Sequence, residues 1–319
     1  MRVLITGSSG QIGTNLGLRL LEAGHRVLGV DRRPNAWTER LPWIELDLLE
    51  RGPALERGVA AAGFEPDVVV HLAANAKVHE LVLHPERALD NVTTTFSALE
   101  FARGRGAPVV FGSSREAYGD QSAGLTSEDR AVVAKSPYSA SKIAGEALVR
   151  SYAECYGLGT LTYRFSNVYG RFDNDLERME RVMPLFVREV AAGRPITVFG
   201  AEKVLDFTYV DDCVDAVFAG IERVFRGELH NETINVAYGE GNSLLDLVRY
   251  IGETLDVTPQ VTVEPTRPGE ITRYVADISK AQRLLGYAPK VPLREGVRRA
   301  IAWSGVSASA AARRASSSN

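Results

Sequence analysis

The sequence predicts an α/β protein with a doubly wound parallel sheet and a smaller, interleaved α/β lobe for a substrate. Short apolar runs rich in valine and isoleucine alternate with helical patterns through the first half, which is typical of a parallel sheet covered on both faces. A glycine-rich turn, TGSSGQIG, directly follows the first of these runs. Later in the chain the alternation becomes irregular, and no linker or internal repeat separates the two halves.

The composition limits the classes of protein to which the chain can belong. With 319 residues, 45% of them hydrophobic and 24% charged, the chain can bury a large core. The net charge of -3 gives no field that would gather nucleic acid or an anionic membrane surface, and we find neither a membrane-spanning run nor a secretory signal. The two cysteines, Cys155 and Cys213, lack metal-ligand spacing, so we expect no metal site and a reducing cytoplasm.

The elements of the main sheet are predicted in a regular order, with strands of about five apolar residues. The predicted strands are RVLIT, RVLGV, WIELD, DVVVHLA, PVVFGSS and TLTYRFSNVYG. Helices are predicted over IGTNLGLRLLEAG, over about 85–105, and from near Pro137 through YSASKIAGEALVRSYAECYG. This order predicts a sheet whose crossover helices lie on both faces.

The second half is predicted to mix short strands with helices. PITVFG and DFTYVDD are strands, whereas RVMPLFVREVAAG, DDCVDAVFAGIERVF and NSLLDLVRYIGETL are helices, the last with Ser243 and Asp246 as a capping box. We assign residues 1–166 to a cofactor-binding domain with returning segments near 204–228, DFTYV among them. Residues 167–303 form mainly the interleaved lobe, and the small, polar residues 304–319 a flexible tail.

The glycine turn points to a dinucleotide site. Gly7, Gly10 and Gly13 would let the backbone approach a diphosphate at the N-terminus of the first helix. A plain strand-to-helix turn would look similar, but Asp31 ends the second strand 18 residues beyond Gly13, where a carboxylate can accept both ribose hydroxyls. Asp31 favours NAD over NADP, because a 2′-phosphate would meet its charge. Arg32 and the arginine after it keep NADP open.

YSASK supplies a candidate catalytic pair. Tyr138 and Lys142 are four residues apart, so they share one face of a helix. We expect the ammonium of Lys142, with a positive nicotinamide ring, to lower the pKa of Tyr138, and a shift of three units corresponds to about 4 kcal/mol. A tyrosine and a lysine at this spacing are often only a solvated helix face. The glycine turn upstream favours the catalytic interpretation.

These motifs together resemble the extended short-chain dehydrogenase/reductase family, in its nucleotide-sugar epimerase and dehydratase branch, over about residues 1–300. The resemblance implies a Rossmann sheet, NAD as cofactor, a UDP-sugar as substrate, and a homodimer formed through the helix that carries Tyr138 and Lys142. It makes Ser114, Tyr138 and Lys142 catalytic, and it places HLAA beneath the cofactor. The predicted cofactor-binding residues are Gly7, Gly10, Gln11, Ile12, Gly13, Asp31, Arg32, Asp47, Leu48, Leu72, Ala73, Ala74, Tyr138 and Lys142. Asp47 would bond the adenine amino group, or else cap the helix after it.

The resemblance also implies a substrate site. Asn167 would bind the sugar diphosphate, Phe199 would stack on the base, and Arg267 would clamp a phosphate. The predicted substrate-binding residues are Ser114, Glu116, Asn167, Arg181, Thr197, Phe199 and Arg267. Leu205 departs from the pattern, because many relatives carry an arginine there, so that phosphate contact is lost or moved to Lys203 or Arg181.

A second departure lies in SSREAYG. Glu116 stands where dehydratases and decarboxylases carry an acid, but Arg115 replaces the aspartate that accompanies that acid in dehydratases. An arginine cannot protonate a leaving hydroxyl at neutral pH, so elimination is disfavoured. Glu116 could assist the reaction or could simply pair with Arg115.

The predicted activity is NAD-dependent 4-epimerisation of UDP-glucuronate or UDP-glucose through a 4-keto sugar. Arg171, Arg178 and Arg181 would suit a carboxylated sugar, or they belong to a solvated helix start. The alternatives are a UDP-glucuronate decarboxylase, a 4,6-dehydratase, a one-way reductase and a non-catalytic NAD-binding protein. His71, His79 and His84 do not have the spacing of metal ligands on one helix face.

Overall fold

A seven-stranded parallel sheet forms the centre of the protein. The computed structural model describes residues 1–50, 53–121, 124–173 and 181–309. The strands are β1 (Arg2–Thr6), β2 (Arg26–Asp31), β3 (Trp43–Glu45), β4 (Val68–His71), β5 (Val109–Ser114), β6 (Thr160–Phe165), β7 (Asn167–Tyr169), β8 (Ile196–Phe199), β9 (Val204–Tyr209), β10 (Glu232–Val236), β11 (Gly241–Ser243), β12 (Val261–Glu264) and β13 (Arg273–Tyr274). The main sheet has the order β3-β2-β1-β4-β5-β6-β10, with every pair parallel. The predicted doubly wound fold is confirmed.

Helices cover both faces of this sheet. They are α1 (Gln11–Glu22), α2 (Ala54–Ala61), α3 (Val78–Leu83), α4 (Arg87–Arg103), α5 (Pro137–Tyr156), α6 (Val182–Ala191), α7 (Val210–Phe225), α8 (Leu244–Leu255), α9 (Ser279–Leu285) and α10 (Leu293–Ser304). Alternate residues of β1 enter different cores: Val3 and Ile5 pack with residues of α1 and α7, whereas Leu4 packs with residues of α4 and α5. Both faces of the strand are therefore buried, which explains its uninterrupted apolar run.

A second sheet is built around β9. This strand pairs with β7 and β13 in parallel and with β11 antiparallel, while β8 and β12 form a separate parallel pair. The carboxylate of Asp206 in β9 accepts hydrogen bonds from the backbone N–H groups of Tyr238, Gly239 and Ala276 at 3.0, 3.0 and 3.2 Å. One buried side chain thus joins three segments that are far apart in sequence.

Several predictions about the second half need correction. The prediction that DFTYV returns to the main sheet is wrong, because β9 lies in the second sheet and β10 is the returning strand. The single strand predicted over TLTYRFSNVYG is broken at Ser166 between β6 and β7. The tail prediction is wrong at its start, since Val306 and Ala308 pack against the core; residues 310–319 lie outside the described part. The domain boundary at 166 stays a prediction.

The predicted capping box agrees with the structure. Ser243 caps α8, with its hydroxyl accepting from the N–H of Asp246 at 3.0 Å and the Asp246 carboxylate accepting from the N–H of Ser243 at 3.0 Å. Within the described residues, no helix has the length and apolarity that crossing a bilayer requires.

Candidate active site

The glycine turn lies where the sheet order reverses, beside the carboxyl end of β1. Gly7 has a φ of 73°, and a Cβ there would lie 2.6 Å from the backbone nitrogen of Ala73. A Cβ on Gly13 would lie 2.3 Å from the carbonyl oxygen of Gly7. Gly10 precedes α1 without a side-chain cap, so the first N–H groups of the helix are available to an anion. The turn therefore forms a backbone cradle at a topological switch point.

Asp31 lies at the next strand end in the same cleft. Its carboxylate accepts hydrogen bonds from the N–H groups of Ser9 at 3.0 Å and Arg33 at 3.2 Å. Burial raises the pKa of Asp31, and these two N–H groups oppose the increase. Arg32 donates instead to the side chain of Asn75 at 3.3 Å. The carboxylate is thus oriented by the backbone beside the glycine turn.

Most of the predicted cofactor residues meet in this cleft. Those that line it are Gly7, Gly10, Gln11, Asp31, Arg32, Asp47, Leu48, Leu72, Ala73 and Ala74. Ile12 and Gly13 lie in the first turn of α1 and are not among the residues that line the described part of the cleft. Asp47 accepts from the N–H of Leu49 at 3.0 Å, and because α2 starts only at Ala54, it caps a turn rather than a helix.

Sequence reasoning missed other residues of the cleft. They are Ser9, Val30, Trp37, Leu46, Leu49, Asn75, Asp90, Asn91, Thr94, Phe172 and Asp173, whereas Arg33, which also lines the cleft, is the second of the two arginines that kept NADP open. Asn75 is fixed by Asn91, whose side-chain oxygen accepts from the Asn75 N–H at 2.7 Å. Short motifs could not reveal this contact, because the two residues belong to separate elements.

The composition of the cleft fits a dinucleotide. The uncapped helix start and the glycine cradle suit a diphosphate, and the oriented carboxylate of Asp31 suits ribose hydroxyls. Val30, Leu46 and Leu48 add an apolar wall for a flat base. Because a side chain on Gly7 or Gly13 would collide with backbone, the cradle needs glycine at both positions.

Tyr138 and Lys142 project from the start of α5. Ser136 caps this helix through a capping box with Ser139, which fixes the first turn where Tyr138 lies. The Lys142 ammonium donates to the carbonyl of Gly112 at 2.7 Å and lies 5.9 Å from the centre of the Tyr138 ring. Both side chains are buried. The helix therefore brings the pair to the carboxyl end of β5, as the sequence predicts.

The predicted lowering of the Tyr138 pKa by Lys142 together with a nicotinamide ring stays a prediction, because in the protein alone burial has the opposite effect. Burial raises the pKa of Tyr138 to about 12, although its hydrogen bond with Ser114 and the charges of Arg181 and Arg115 oppose the increase. Burial also lowers the pKa of Lys142 to about 8. Lys142 is directed at Gly112 rather than at the phenol, so desolvation outweighs its charge.

Ser114 ends β5 and caps the short 3₁₀ helix Arg115–Tyr118, which contains Glu116. The Ser114 hydroxyl accepts from the N–H of Glu116 at 3.2 Å. Glu116 pairs with Arg115 at 3.0 Å, and the same guanidinium nitrogen donates to Asn167 at 3.0 Å. Burial raises the pKa of Glu116, which Arg115 opposes. Glu116 therefore pairs with Arg115, which the sequence suggested as one possibility. The charge of Glu116 also raises the pKa of Tyr138.

The predicted nucleotide-binding residues lie around β8 and β9. The guanidinium carbon of Arg267 lies 3.8 Å from the centre of the Phe199 ring. Lys203 is buried and donates to the carboxylate of Glu270 at 2.5 Å. Thr197 is exposed on β8. Leu205 belongs to the hydrophobic core, so this position contributes packing and no phosphate contact.

Arg181 lies at the cofactor cleft. Its guanidinium donates to the side-chain oxygen of Gln11 at 2.6 Å and pairs with Asp173 at 3.2 Å. Arg171 pairs with Asp211 at 2.6 Å, and Arg178 lies outside the described residues. Burial raises the pKa of Asp173 to about 7, and Arg181 opposes this increase. The two described arginines are therefore each engaged with a carboxylate.

Comparisons with known proteins agree with this geometry. Residues 3–237 match the model of the NAD dependent epimerase/dehydratase family. The chain is 32% identical to a UDP-glucose 4-epimerase of Mycolicibacterium smegmatis over 314 residues, covering 94% of this chain and 97% of that protein.

Two solved structures share the fold over nearly their whole length. The UDP-glucose 4-epimerase of Thermotoga maritima, solved with UDP-glucose, has a TM-score of 0.88 at 28% identity and covers 96% of this chain and 99% of its own. The UDP-glucuronic acid 4-epimerase of Bacillus cereus, solved with UDP-glucuronic acid and NAD, has a TM-score of 0.85 at 27% identity, with coverages of 95% and 98%. The predicted family and its cofactor, NAD, are thereby confirmed, and the chain belongs to the NAD-dependent epimerase/dehydratase family.

Proposed function

We propose that the protein catalyses NAD-dependent 4-epimerisation of a UDP-hexose, UDP-glucose or UDP-glucuronate, through a transient 4-keto sugar. The observation that carries the proposal is the convergence of Ser114, Tyr138 and Lys142 at the carboxyl end of β5. This group of side chains adjoins a cleft that fits NAD. Tyrosine and lysine are among the side chains that can exchange the proton of a hydroxyl during its oxidation.

Each side chain has a distinct role in the proposed reaction. Bound NAD supplies reversible two-electron oxidation at C4. Ser114 holds the 4-hydroxyl, and Tyr138 removes its proton and later returns one. Because burial raises the pKa of Tyr138 to about 12, its ionisation depends on nearby positive charge, which Arg115 and Arg181 supply within the protein. Lys142 donates a hydrogen bond to the carbonyl of Gly112 and so ties α5 to β5 beside the site.

The charges around the sugar favour UDP-glucose over UDP-glucuronate. Arg171 and Arg181 would have suited a uronate, but Arg171 pairs with Asp211, and Arg181 contacts Gln11 at the start of α1 in the cofactor cleft. The buried carboxyl group of Glu116 lies within electrostatic reach of Tyr138, where it would oppose a second carboxylate. A neutral C6 hydroxymethyl group meets neither difficulty.

The uridine diphosphate is proposed to lie along β8 and β9. Phe199 would stack on the base, with Thr197 beside it, and Asn167 would donate to the diphosphate. Arg267 and Lys203 bring positive charge to the same region, with Lys203 held by Glu270. A firm hold on the nucleotide would allow the 4-keto sugar to turn over without leaving the site.

Two other reactions need different chemistry at the same position. A 4,6-dehydratase needs an acid for the leaving hydroxyl, and Arg115 cannot be that acid because it stays protonated. A UDP-glucuronate decarboxylase would use the same first step, with Glu116 assisting loss of carbon dioxide. The pairing of Glu116 with Arg115 supports a structural role instead.

We also propose a homodimer formed through α4 and α5. These helices pack against each other at the surface of the main sheet. On α4, Leu89 and Phe96 are 70% and 50% exposed, and Tyr156 at the end of α5 is 58% exposed. Apolar side chains of this size are typical of a buried subunit contact. Sedimentation of the protein, with Phe96→Glu as the variant, tests whether this face holds two copies together.

The decisive experiment presents the purified protein with UDP-glucose, UDP-glucuronate and dTDP-glucose, and identifies the products by NMR. We expect UDP-galactose from UDP-glucose, with no net change in NADH absorbance over many turnovers. Carbon dioxide release from UDP-glucuronate would identify a decarboxylase, and a 4-keto-6-deoxy product would identify a dehydratase. Absence of any product from all three sugar nucleotides would contradict the proposed function.

A further inference from the structure

The segment Arg171–Asp173 crosses the start of α1 and reaches the cofactor cleft. The carbonyl oxygen of Arg171 accepts from the side-chain amides of Gln11 at 3.3 Å and Asn15 at 3.2 Å. Phe172, with a φ of 59°, packs between Trp37 and Trp303, at ring distances of 6.1 and 5.3 Å. The segment is therefore tied to α1 on one side and to an aromatic cluster on the other.

This segment places Asp173 beside Arg181. Asp173 is 8% exposed and lines the cleft, and one of its carboxylate oxygens has no hydrogen-bond partner among the described residues. Its other oxygen lies 3.2 Å from a guanidinium nitrogen of Arg181. That nitrogen also donates to Gln11 at 2.6 Å and to the carbonyl of Val168 at 3.3 Å. These acceptors hold the guanidinium beside the first turn of α1.

We propose that Arg181 binds the diphosphate of NAD rather than the diphosphate of the sugar nucleotide. Its guanidinium contacts the first residue of α1, and the N-terminus of this helix is where the glycine turn receives a diphosphate. A guanidinium supplies several donors in a fixed plane to phosphate oxygens. This inference concerns the cofactor site, and only its comparison with UDP rests on the proposed function.

The distribution of charge in the cleft supports this assignment. Three arginines line the described part of the cleft, and Arg32 and Arg33 both follow β2, beside Asp31. Arg181 is the lining arginine that contacts α1, where Asp173 would otherwise present a negative charge to the diphosphate. Arg181 thus offsets the charge of Asp173 and brings guanidinium N–H donors to the same point.

The test compares Arg181→Met with Arg171→Met by titration calorimetry, using NAD and UDP as separate probes. Arg171 carries the same charge in the neighbouring segment but pairs with Asp211 at 2.6 Å, and it does not line the cleft. We expect Arg181→Met to weaken NAD binding at least tenfold, as loss of a charged hydrogen bond would, and to change UDP binding less than twofold. Arg171→Met should leave both affinities within twofold.

Several outcomes would overturn the assignment. NAD affinity within twofold of the unmodified protein contradicts it, as does a loss of UDP affinity as large as the loss of NAD affinity. If Arg181→Met does not fold, Arg181→Lys decides: a larger loss for NAD than for UDP supports the inference, and the reverse contradicts it. If the unmodified protein binds no UDP, the proposed function fails while the NAD measurement still tests Arg181.

Discussion

The cofactor cleft and the nucleotide end of the second sheet are held together by different kinds of contact. In the cleft, the glycine turn is closed by backbone hydrogen bonds from Gly7 to Val30 at 2.9 Å and from Gly10 to Gly7 at 3.1 Å. Around β9, side chains make the connections: Lys203 reaches Glu270, and Arg267 covers Phe199. A site built from backbone groups should lose most of its ligand affinity when one substitution shifts the backbone. A site built from side-chain pairs should lose affinity stepwise, one pair at a time.

Tyr138→Phe should give the largest effect, because it removes the one atom that would exchange a proton with the substrate. The ring and its packing are kept, so stability and NAD binding should stay unchanged. Turnover should fall about 10³-fold, which lies within the usual contribution of a positioned acid–base group. Initial rates with UDP-glucose, beside thermal unfolding and NAD content, measure the three quantities.

A Tyr138→Phe protein that keeps more than a tenth of its turnover would contradict the role of the phenol. Such a result would also mean that proton exchange with the substrate does not take place at the carboxyl end of β5. The matched control is Tyr152→Phe on the same helix, whose hydroxyl donates to Glu100 of α4 at 2.7 Å. Its turnover should stay within twofold.

The sequence predicted the cleft well because its contacts are local. Gly7, Gly10 and Gly13 lie within one turn, and Asp31 follows the next strand, so spacing alone places them together. The helix repeat likewise brings Tyr138 and Lys142 onto one face. In each case the geometry follows from the covalent chain and from regular secondary structure.

The second half was harder to predict because its contacts join distant segments. Asp206 accepts hydrogen bonds from residues about 30 and 70 positions away, and no periodic pattern encodes such a pairing. The strand β10 is short and only partly apolar, so its return to the main sheet left no clear signal. Arg181 was assigned to the substrate by resemblance, whereas the structure brings it to Gln11.

Gly13→Ala tests the cofactor cleft, whose glycine turn is built from backbone, and it should give the second-largest effect. Its Cβ would lie 2.3 Å from the carbonyl oxygen of Gly7 and 2.9 Å from the Cα of Ser8, so the turn itself must move. We expect NAD affinity to fall at least tenfold and the free energy of unfolding to fall by about 1–3 kcal/mol. Calorimetry with NAD and urea unfolding measure these changes.

Gly104→Ala is the matched control for that substitution. Gly104 has a φ of -61°, and the nearest atom to an added Cβ would be 3.5 Å away. This variant should keep its NAD affinity and its stability within error. Equal losses in the two variants would show that alanine acts through the chain at large and not through the cradle.

Arg267→Ala probes the side-chain region and should give the smallest effect. Loss of one charged contact near Phe199 should raise the KM for UDP-glucose about tenfold, equivalent to about 1.4 kcal/mol, while kcat stays within threefold. Arg249→Ala is the control, because Arg249 lies 4.3 Å from the Tyr250 ring on α8 and should leave KM unchanged. A fall in kcat with KM unchanged would mean that Arg267 acts on the reaction itself, and the stepwise behaviour expected of side-chain pairs would not hold at this end of the site.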